Sequence, residues 1–435
     1  MSRTTVLHAC GWLALVAFCG FGFVAAGRAA APAAPVGSVV VSGQEHNATD
    51  LLLAQGPAAG GNAADEGEAA TADGGPAAAK SPPPDSLAGS FDSAAAAEPG
   101  YGLAGTPNMF GDLSGFYARA GTYGLSGASL PLVGIGGRMK IADDDNALPQ
   151  DRVFFLYNHF NDALNVSSFT TGGAPVTHSF DLDRYTIGIE KTFLDQSCSV
   201  ELRMPFTNAF DYSTSLNDFA ASDGPVGNLV VVLKGLLYAS DTTAAAVGTG
   251  LSTPTGSNAA GMAQDVQFTV HNQSLHLMPF AGFLHNFNDR LFCQGFLQCD
   301  VPVNGNRIDY VDPITPGYGS FGVLRDQPLL YADLCTGCWL RRNQDACWLT
   351  GLAALVELHY TSTLQNADIV SGVAAGEPFL FGNFSNRQDL LNMTFGLHAE
   401  IAHQTVFRVA GAVPLRNGDE RVFDAEVLAQ VERRF

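Results

Sequence analysis

The chain has 435 residues, of which 46% are apolar and only 15% charged, with 48 Gly and 29 Phe. Acidic residues outnumber basic ones by 42 to 22, giving a formal charge of −20. No basic stripe is present to neutralise phosphates, which argues against a nucleic-acid partner, and the length allows one large domain or two or three ordinary ones.

The N-terminus places Arg3 before an apolar run from Val6 to Ala26, followed by the small residues Ala29, Ala30 and Ala31. This is the pattern of a cleaved secretory signal over residues 1–31. The run is also long enough to span a bilayer, but Gly20, Gly22 and the Ala-rich exit suit cleavage. Neither Cys10 nor Cys19 sits in a lipoprotein arrangement, and no later run is long enough for a spanning helix. Residues 32–105 are rich in Ala, Gly and Pro and in acids, with few large apolar groups. Such a stretch buries too little surface to offset its ordering entropy and reads as a disordered linker. Residues 106–130 read as either a plug or a first strand.

From residue 131 to 435 the pattern alternates with a period of two, and the runs come in pairs closed by short polar turns. Tyr185, Ile187, Ile189 and Phe193 share one face, opposite Arg184, Thr186, Gly188 and Glu190. Leu391, Met393, Phe395, Leu397, Ala399 and Ile401 oppose Asn392, Thr394, His398 and Glu400. Thirteen strands are predicted: 131–142, 151–162, 180–194, 197–206, 227–239, 245–253, 274–285, 290–302, 327–341, 346–360, 389–402, 404–415 and 421–435. Long segments link the pairs at 163–179, 207–226, 254–273, 303–326 and 361–388. Short turns at one end and long ones at the other are the asymmetry of a transmembrane antiparallel up-and-down β-barrel. A soluble β-sandwich would have shorter strands and more even loops. Closure requires an even number of strands, so about 14 are expected, with LSGFYARAG (113–121) supplying one. Twelve is the alternative, with 131–142 outside the wall.

The chain ends FDAEVLAQVERRF. Read as a helix it has apolar residues four apart; read as a strand it alternates. A helix would leave the barrel edge unpaired in lipid, so the tail is assigned as the closing strand. Its terminal aromatic, with Val427 and Val431 on the same face as Phe435, is similar to the assembly signal of bacterial outer-membrane barrels. PNMFGD (107–112), PQDRVFFLYNHFND (149–162) and ALVELHY (354–360) resemble segments of planctomycete-type outer-membrane barrels. GLSTPTG (250–256) is similar to segments of channel families linked to uptake of aromatic compounds. The resemblance spans roughly 107–435. It implies a porin-like protein in the cell outer membrane, with the lipid bilayer and the barrel-assembly machinery as partners, small solutes as cargo and homo-oligomers as one form. Arg433 on the lipid face departs from the pattern; a guanidinium there can snorkel to the interface.

Function is sought on the polar face. The predicted lumen-lining charges are Arg184, Glu190, Glu201, Arg203, Glu357, His398, Glu400, Arg408 and Glu426. Hairpin arithmetic sets His398 opposite Arg408, with Glu400 and Glu426 on its diagonals. It also sets Glu190 opposite Glu201, with Arg203 able to relieve the repulsion. These ladders serve either as structural pairs or as a selectivity lining. Glu357 with His359, and His398 with Glu400, each put two ligand types on one face, but the pairs lie on the order of 20–30 Å apart along antiparallel strands. No metal and no cofactor is expected. The thiols of Cys335 and Cys338 point to opposite faces of a strand and cannot grip one ion. A disulfide from either to Cys347 suits an oxidising compartment. Cys198, Cys293 and Cys299 fall on lipid-facing positions. No nucleophile elbow, P-loop or dinucleotide fingerprint appears, and His178, His271 and His285 lie near turns with no spaced partner, so no catalytic residue is assigned. The leading reading is a passive channel, narrowed by segment 107–130. A non-conducting barrel acting through its outer loops is second, and a barrel enzyme third.

Overall fold

The computed structural model describes residues 102–112, 119–122, 126–129, 138–168, 176–208, 210–213, 217–221, 226–263, 265–312, 317–343 and 345–435. The predicted signal and nearly all of the predicted linker lie outside these residues. No α-helix occurs among the described residues, and the protein is all-β.

Twelve strands form the wall. They are β3 (Arg152–Ser168), β4 (Val176–Phe193), β5 (Cys198–Thr207), β8 (Val230–Ala239), β9 (Thr243–Ser252), β12 (His276–Asn286), β13 (Leu291–Pro302), β16 (Leu329–Arg342), β17 (Leu349–Thr363), β20 (Asp389–Ile401), β21 (Thr405–Pro414) and β22 (Ala425–Arg434). Each pairs antiparallel with its neighbours, and β22 pairs with β3 to close the ring. The count is therefore twelve, the smaller of the two expectations. The surplus strand was 131–142. Of that run, Arg138–Ala142 lie away from the wall, which begins at Arg152. Of 113–121, residues 119–121 are described; they belong to a strand that lies outside the wall, and 113–118 fall outside the described residues.

Wall strands form because alternate residues face two different media. On β20 every second residue from Leu390 to Glu400, apart from Gly396, is buried, while Leu391, Met393, Phe395, Leu397 and Ala399 are at least partly exposed outside. Ile187, Val409 and Val427, on the outer face, are each at least half exposed. The tail is a strand, with Phe435, Val431 and Val427 on the outer face. Arg433 also points outward. Its guanidinium bends to Thr405 Oγ1 (2.7 Å) and Gln404 Oε1 (2.6 Å) at the short-turn rim, as snorkelling requires. On the inner face, large rings lie over cross-strand glycines. Phe292 covers Gly337 and Phe154 covers Gly188, each directly opposite its glycine.

Four of the segments predicted as long loops, 207–226, 254–273, 303–326 and 361–388, form hairpins of a collar beyond the wall, and a fifth hairpin comes from 106–130. The collar strands are β1 (Arg119–Thr122), β2 (Ser126–Ser129), β6 (Phe210–Ser213), β7 (Asn217–Ala221), β10 (Ala259–Ala263), β11 (Val266–Val270), β14 (Asn306–Asp312), β15 (Gly317–Leu324), β18 (Ile369–Ala374) and β19 (Glu377–Gly382). Strands β15-β14-β11-β10-β7-β6 make one sheet, and β18-β19-β1-β2 continue from the outer end of β3. The two sheets meet through Phe268 and Phe381 (5.2 Å between ring centres) and through Phe321 stacked among Tyr310, Phe379 and Phe381. Phe160, Leu164, Leu182 and Phe423 from the wall ends join the same core.

Candidate functional site: a strap inside the lumen

Two stretches outside the wall, 106–112 and 138–148, lie inside the barrel. They are the two limbs of a strap. The first limb starts at the short-turn end, where Thr106 Oγ1 meets Asn286 Oδ1 at 3.2 Å. The chain next appears in β1 and β2 at the collar, and the second limb leads back to β3. The limbs hold each other: Met109 N donates to Asp145 O (2.8 Å) and Asn146 Nδ2 to Asn108 Oδ1 (2.6 Å).

The first limb is gripped mainly by its backbone. Glu357 accepts the amides of Phe110 (2.7 Å) and Gly111 (3.0 Å) on its two oxygens. Arg408 Nη1 donates to Asn108 O and Met109 O, Gln430 Nε2 to Phe110 O, and Gln294 Nε2 to Pro107 O. The sequence suits this local path. Gly111 has φ +82°, and a Cβ there would lie 2.1 Å from Asp143 Oδ1, so only glycine lets the limbs close.

The second limb is gripped mainly by charge. Asp143 faces Arg184 Nη2 (3.4 Å), Asp144 pairs with Arg408 and with Arg152 Nη1 (3.1 Å), and Asp145 takes Lys234 Nζ (2.6 Å). Lys140 Nζ lies 2.5 Å from Asp112 and 3.2 Å from Asp333. Apolar packing supports both limbs, through Phe110, Met109 and Ile141 against Phe280, Phe292 and Phe296. Buried ions of this kind persist only when paired and hydrogen-bonded, so wall and strap are complementary by necessity.

All nine predicted lumen charges, Arg184, Glu190, Glu201, Arg203, Glu357, His398, Glu400, Arg408 and Glu426, are buried on the inner face. Glu190 pairs in register with Glu201, and Arg203 meets Glu201. Arg152 also bridges the two, with Nε 2.8 Å from Glu190 and Nη2 2.9 Å from Glu201. His398 stands opposite Arg408. The expectation that Arg408 lies between Glu400 and Glu426 is corrected: its guanidinium turns to Asp144 and lies 3.9 Å from Glu432. Hairpin diagonals could not show this, because the partner comes from the strap. Glu426 instead accepts from Asn158 (2.7 Å), and Glu400 lies 3.7 Å from His398.

Sequence reasoning passed over Arg152, Lys234, Asp333 and Glu432 on the wall, and Asp112, Lys140 and Asp143–Asp145 on the strap. A lone Lys in VVVLKGLLYA and an Arg opening RVFFLYNHF were readable signals on strands that alternate. Asp112 and Asp143–Asp145 had none, since a coil carries no period, and Lys140 lay in a run whose spacing pointed to a strand.

Among the described residues, two groups have ligand atoms close enough for one ion: Asp112, Asp333 and His359, and Asp145, Glu190 and Glu201. Each already holds an ammonium of the chain, Lys140 in the first and Lys234 in the second. Cys335 and Cys347 both carry free thiols, so the expected disulfide to Cys347 is corrected: neither Cys335 nor Cys338 bridges to it.

Against known proteins, no family model matches the chain, and no curated protein matches it. Solved structures similar to it include an outer-membrane channel of the COG4313 type from Pseudomonas putida F1, at 12% identity and a TM-score of 0.42, covering 67% of this chain and 98% of that one. The translocator domain of the autotransporter NalP from Neisseria meningitidis aligns at 10% identity and 0.40, over 67% and 90%. The toluene transporter TodX of Pseudomonas putida aligns at 9% and 0.32, over 75% and 98%. Likeness at TM-scores below 0.5 transfers nothing of those proteins' activities to this chain.

Proposed function

We propose that this protein is an outer-membrane channel for small solutes, held shut in this conformation by its own strap. A closed barrel with an apolar exterior fits a bilayer, and its polar interior fits an aqueous path. The observation that carries the reading is the way the lumen is filled. Beside its apolar contacts, the strap is held to the wall by ion pairs and hydrogen bonds that water can replace. No catalytic step is proposed. Planar-bilayer recording tests the channel. The unaltered protein should give rare, brief openings, and Arg408→Ala, which frees Asn108, Met109 and Asp144 together, should open several times more often. No current from either protein, with both giving β-rich spectra and heat-shifted mobility, ends the channel reading.

A second reading is a non-conducting barrel that acts through its collar. The face-to-face collar sheets favour it, because their aromatic core gathers over the wall ends. That silent outcome in bilayers is what this reading requires.

A further inference from the structure

The inner wall is not electrically even. Among the described residues, eight wall carboxylates are buried (Glu190, Glu201, Asp300, Asp333, Glu357, Glu400, Glu426, Glu432) against five buried bases (Arg152, Arg184, Arg203, Lys234, Arg408). The bases all stand on β3, β4, β5, β8 and β21, and on that side of the ring, with β22 included, four wall carboxylates face these five bases: Glu190, Glu201, Glu426 and Glu432. The opposite arc, β13, β16, β17 and β20, carries Asp300, Asp333, Glu357 and Glu400. The inner face of that arc has no buried Lys or Arg among the described residues.

These four acids descend the lumen in order. Asp300 is level with Leu329 near the collar, and Asp333 is about 13 Å further along β16 at 3.3 Å per residue. Glu357 lies about 7 Å below Asp333 on β17, and Glu400, level with Gly351, about 20 Å below that. The upper two rungs are shared between wall and strap: Asp300 takes His276 Nδ1 of the wall (2.7 Å) and Arg138 Nη1 of the strap (3.5 Å), and Asp333 takes His359 Nδ1 of the wall (2.8 Å) and Lys140 Nζ of the strap (3.2 Å). The ammonium of Lys140 also stands 5.2 Å over the Tyr331 ring, while Asp333 Oδ2, fully buried, has no hydrogen-bond partner. Carboxylates below and an aromatic face beside it make a seat for an organic cation.

We infer that this acidic arc is a track for cations, and that the solutes of the channel are small organic cations bearing an ammonium or guanidinium group. Arg138 and Lys140 are tethered stand-ins for them. Strap release strips two bases from the arc and leaves its carboxylates to attract replacements. This inference rests on the channel reading above.

The test is reversal potential under a KCl gradient, with methylammonium as the probe. Full-length Lys140→Met, which empties the seat, should pass K⁺ severalfold faster than Cl⁻. Millimolar methylammonium should reduce that current, and Asp333→Asn added to Lys140→Met should abolish both the preference and the block. A preference for Cl⁻, or methylammonium block that survives Asp333→Asn, overturns the track while leaving a channel. A folded Lys140→Met with no current strikes the channel reading instead. The seat is then judged by melting: methylammonium should raise the melting temperature of Lys140→Met, and no rise overturns it. If Lys140→Met does not fold, Asp333→Asn in the otherwise unaltered chain replaces it. Its residual openings must lose K⁺ preference, and an unchanged ratio overturns the inference.

Discussion

The lumen and the collar bury their interiors by opposite means. Between the strap and the wall the buried groups are largely ions, each answered by another: Arg152 alone touches Asp144, Asp145, Glu190, Glu201 and Glu432. In the collar the buried groups are mainly Phe, Val, Ile, Leu and Ala, packed between two sheets. The difference follows from surroundings. Wall strands turn their apolar side chains outward, toward lipid on the proposed reading, so the inside is made of what remains, polar and charged residues that need partners. Collar hairpins stand clear of hydrocarbon, turn their apolar faces toward each other and behave as an ordinary sandwich. One region is built to be matched charge by charge, and the other to be packed.

Breaking each region in its own terms should give effects of different size. The largest is expected from Arg152→Met, which leaves several buried carboxylates uncompensated. Urea unfolding in lipid vesicles should show a loss of about 3–5 kcal/mol. Phe381→Ala in the collar removes a fully buried ring, and hydrogen exchange should report about 3 kcal/mol lost across the collar strands with the wall unchanged. An equal loss in the wall would mean that the two regions unfold as one. Gly337→Ala should cost about 1–3 kcal/mol, because its new Cβ would lie 1.9 Å from Phe292 Cζ, and Phe292→Ala should remove that penalty.

The smallest effect concerns pH in the collar. Burial pushes the Asp309 carboxyl up, but hydrogen bonds from Arg307, Ser320 and His271, with the Arg307 charge, outweigh it and hold it below its ordinary value of 3.8. A lowered carboxyl stabilises the fold above that ordinary value and stops doing so as pH falls through its own, lower one. Hydrogen exchange around β14 should therefore be flat from neutrality down to about pH 5 and quicken only in stronger acid. Asp309→Asn should remove the acid-dependent step.

How much of this was legible in the sequence follows the same division. The wall could be read because lipid and water impose a two-residue period. Tyr185, Ile187 and Ile189 point out, and Arg184, Thr186 and Glu190 point in, as the alternation of RYTIGIEKTF indicates. The strand count was over-read because 131–142 carries spaced apolar residues. In the folded chain Met139 and Ile141 use theirs to pack within the lumen. The collar strands went unseen because they are short. The candidate site was half legible. Its wall charges lie on alternating positions, but their partners lie on a coil whose docking depends on contacts more than two hundred residues away, such as Gly111 to Glu357. No local pattern encodes those.

The claim beneath all of this is that the strap lies within the wall and shuts it. Asn392 Nδ2 on β20 and Asp112 Oδ2 on the strap are 2.6 Å apart, which makes the pair a lock. The most direct measurement is bilayer current through Asp112→Cys/Asn392→Cys, before and after reduction. The account predicts a strap-to-β20 disulfide in the oxidised protein, silence in that state, and openings once it is reduced. A folded protein in which the bridge does not form, or in which reduction leaves the current unchanged, would contradict it.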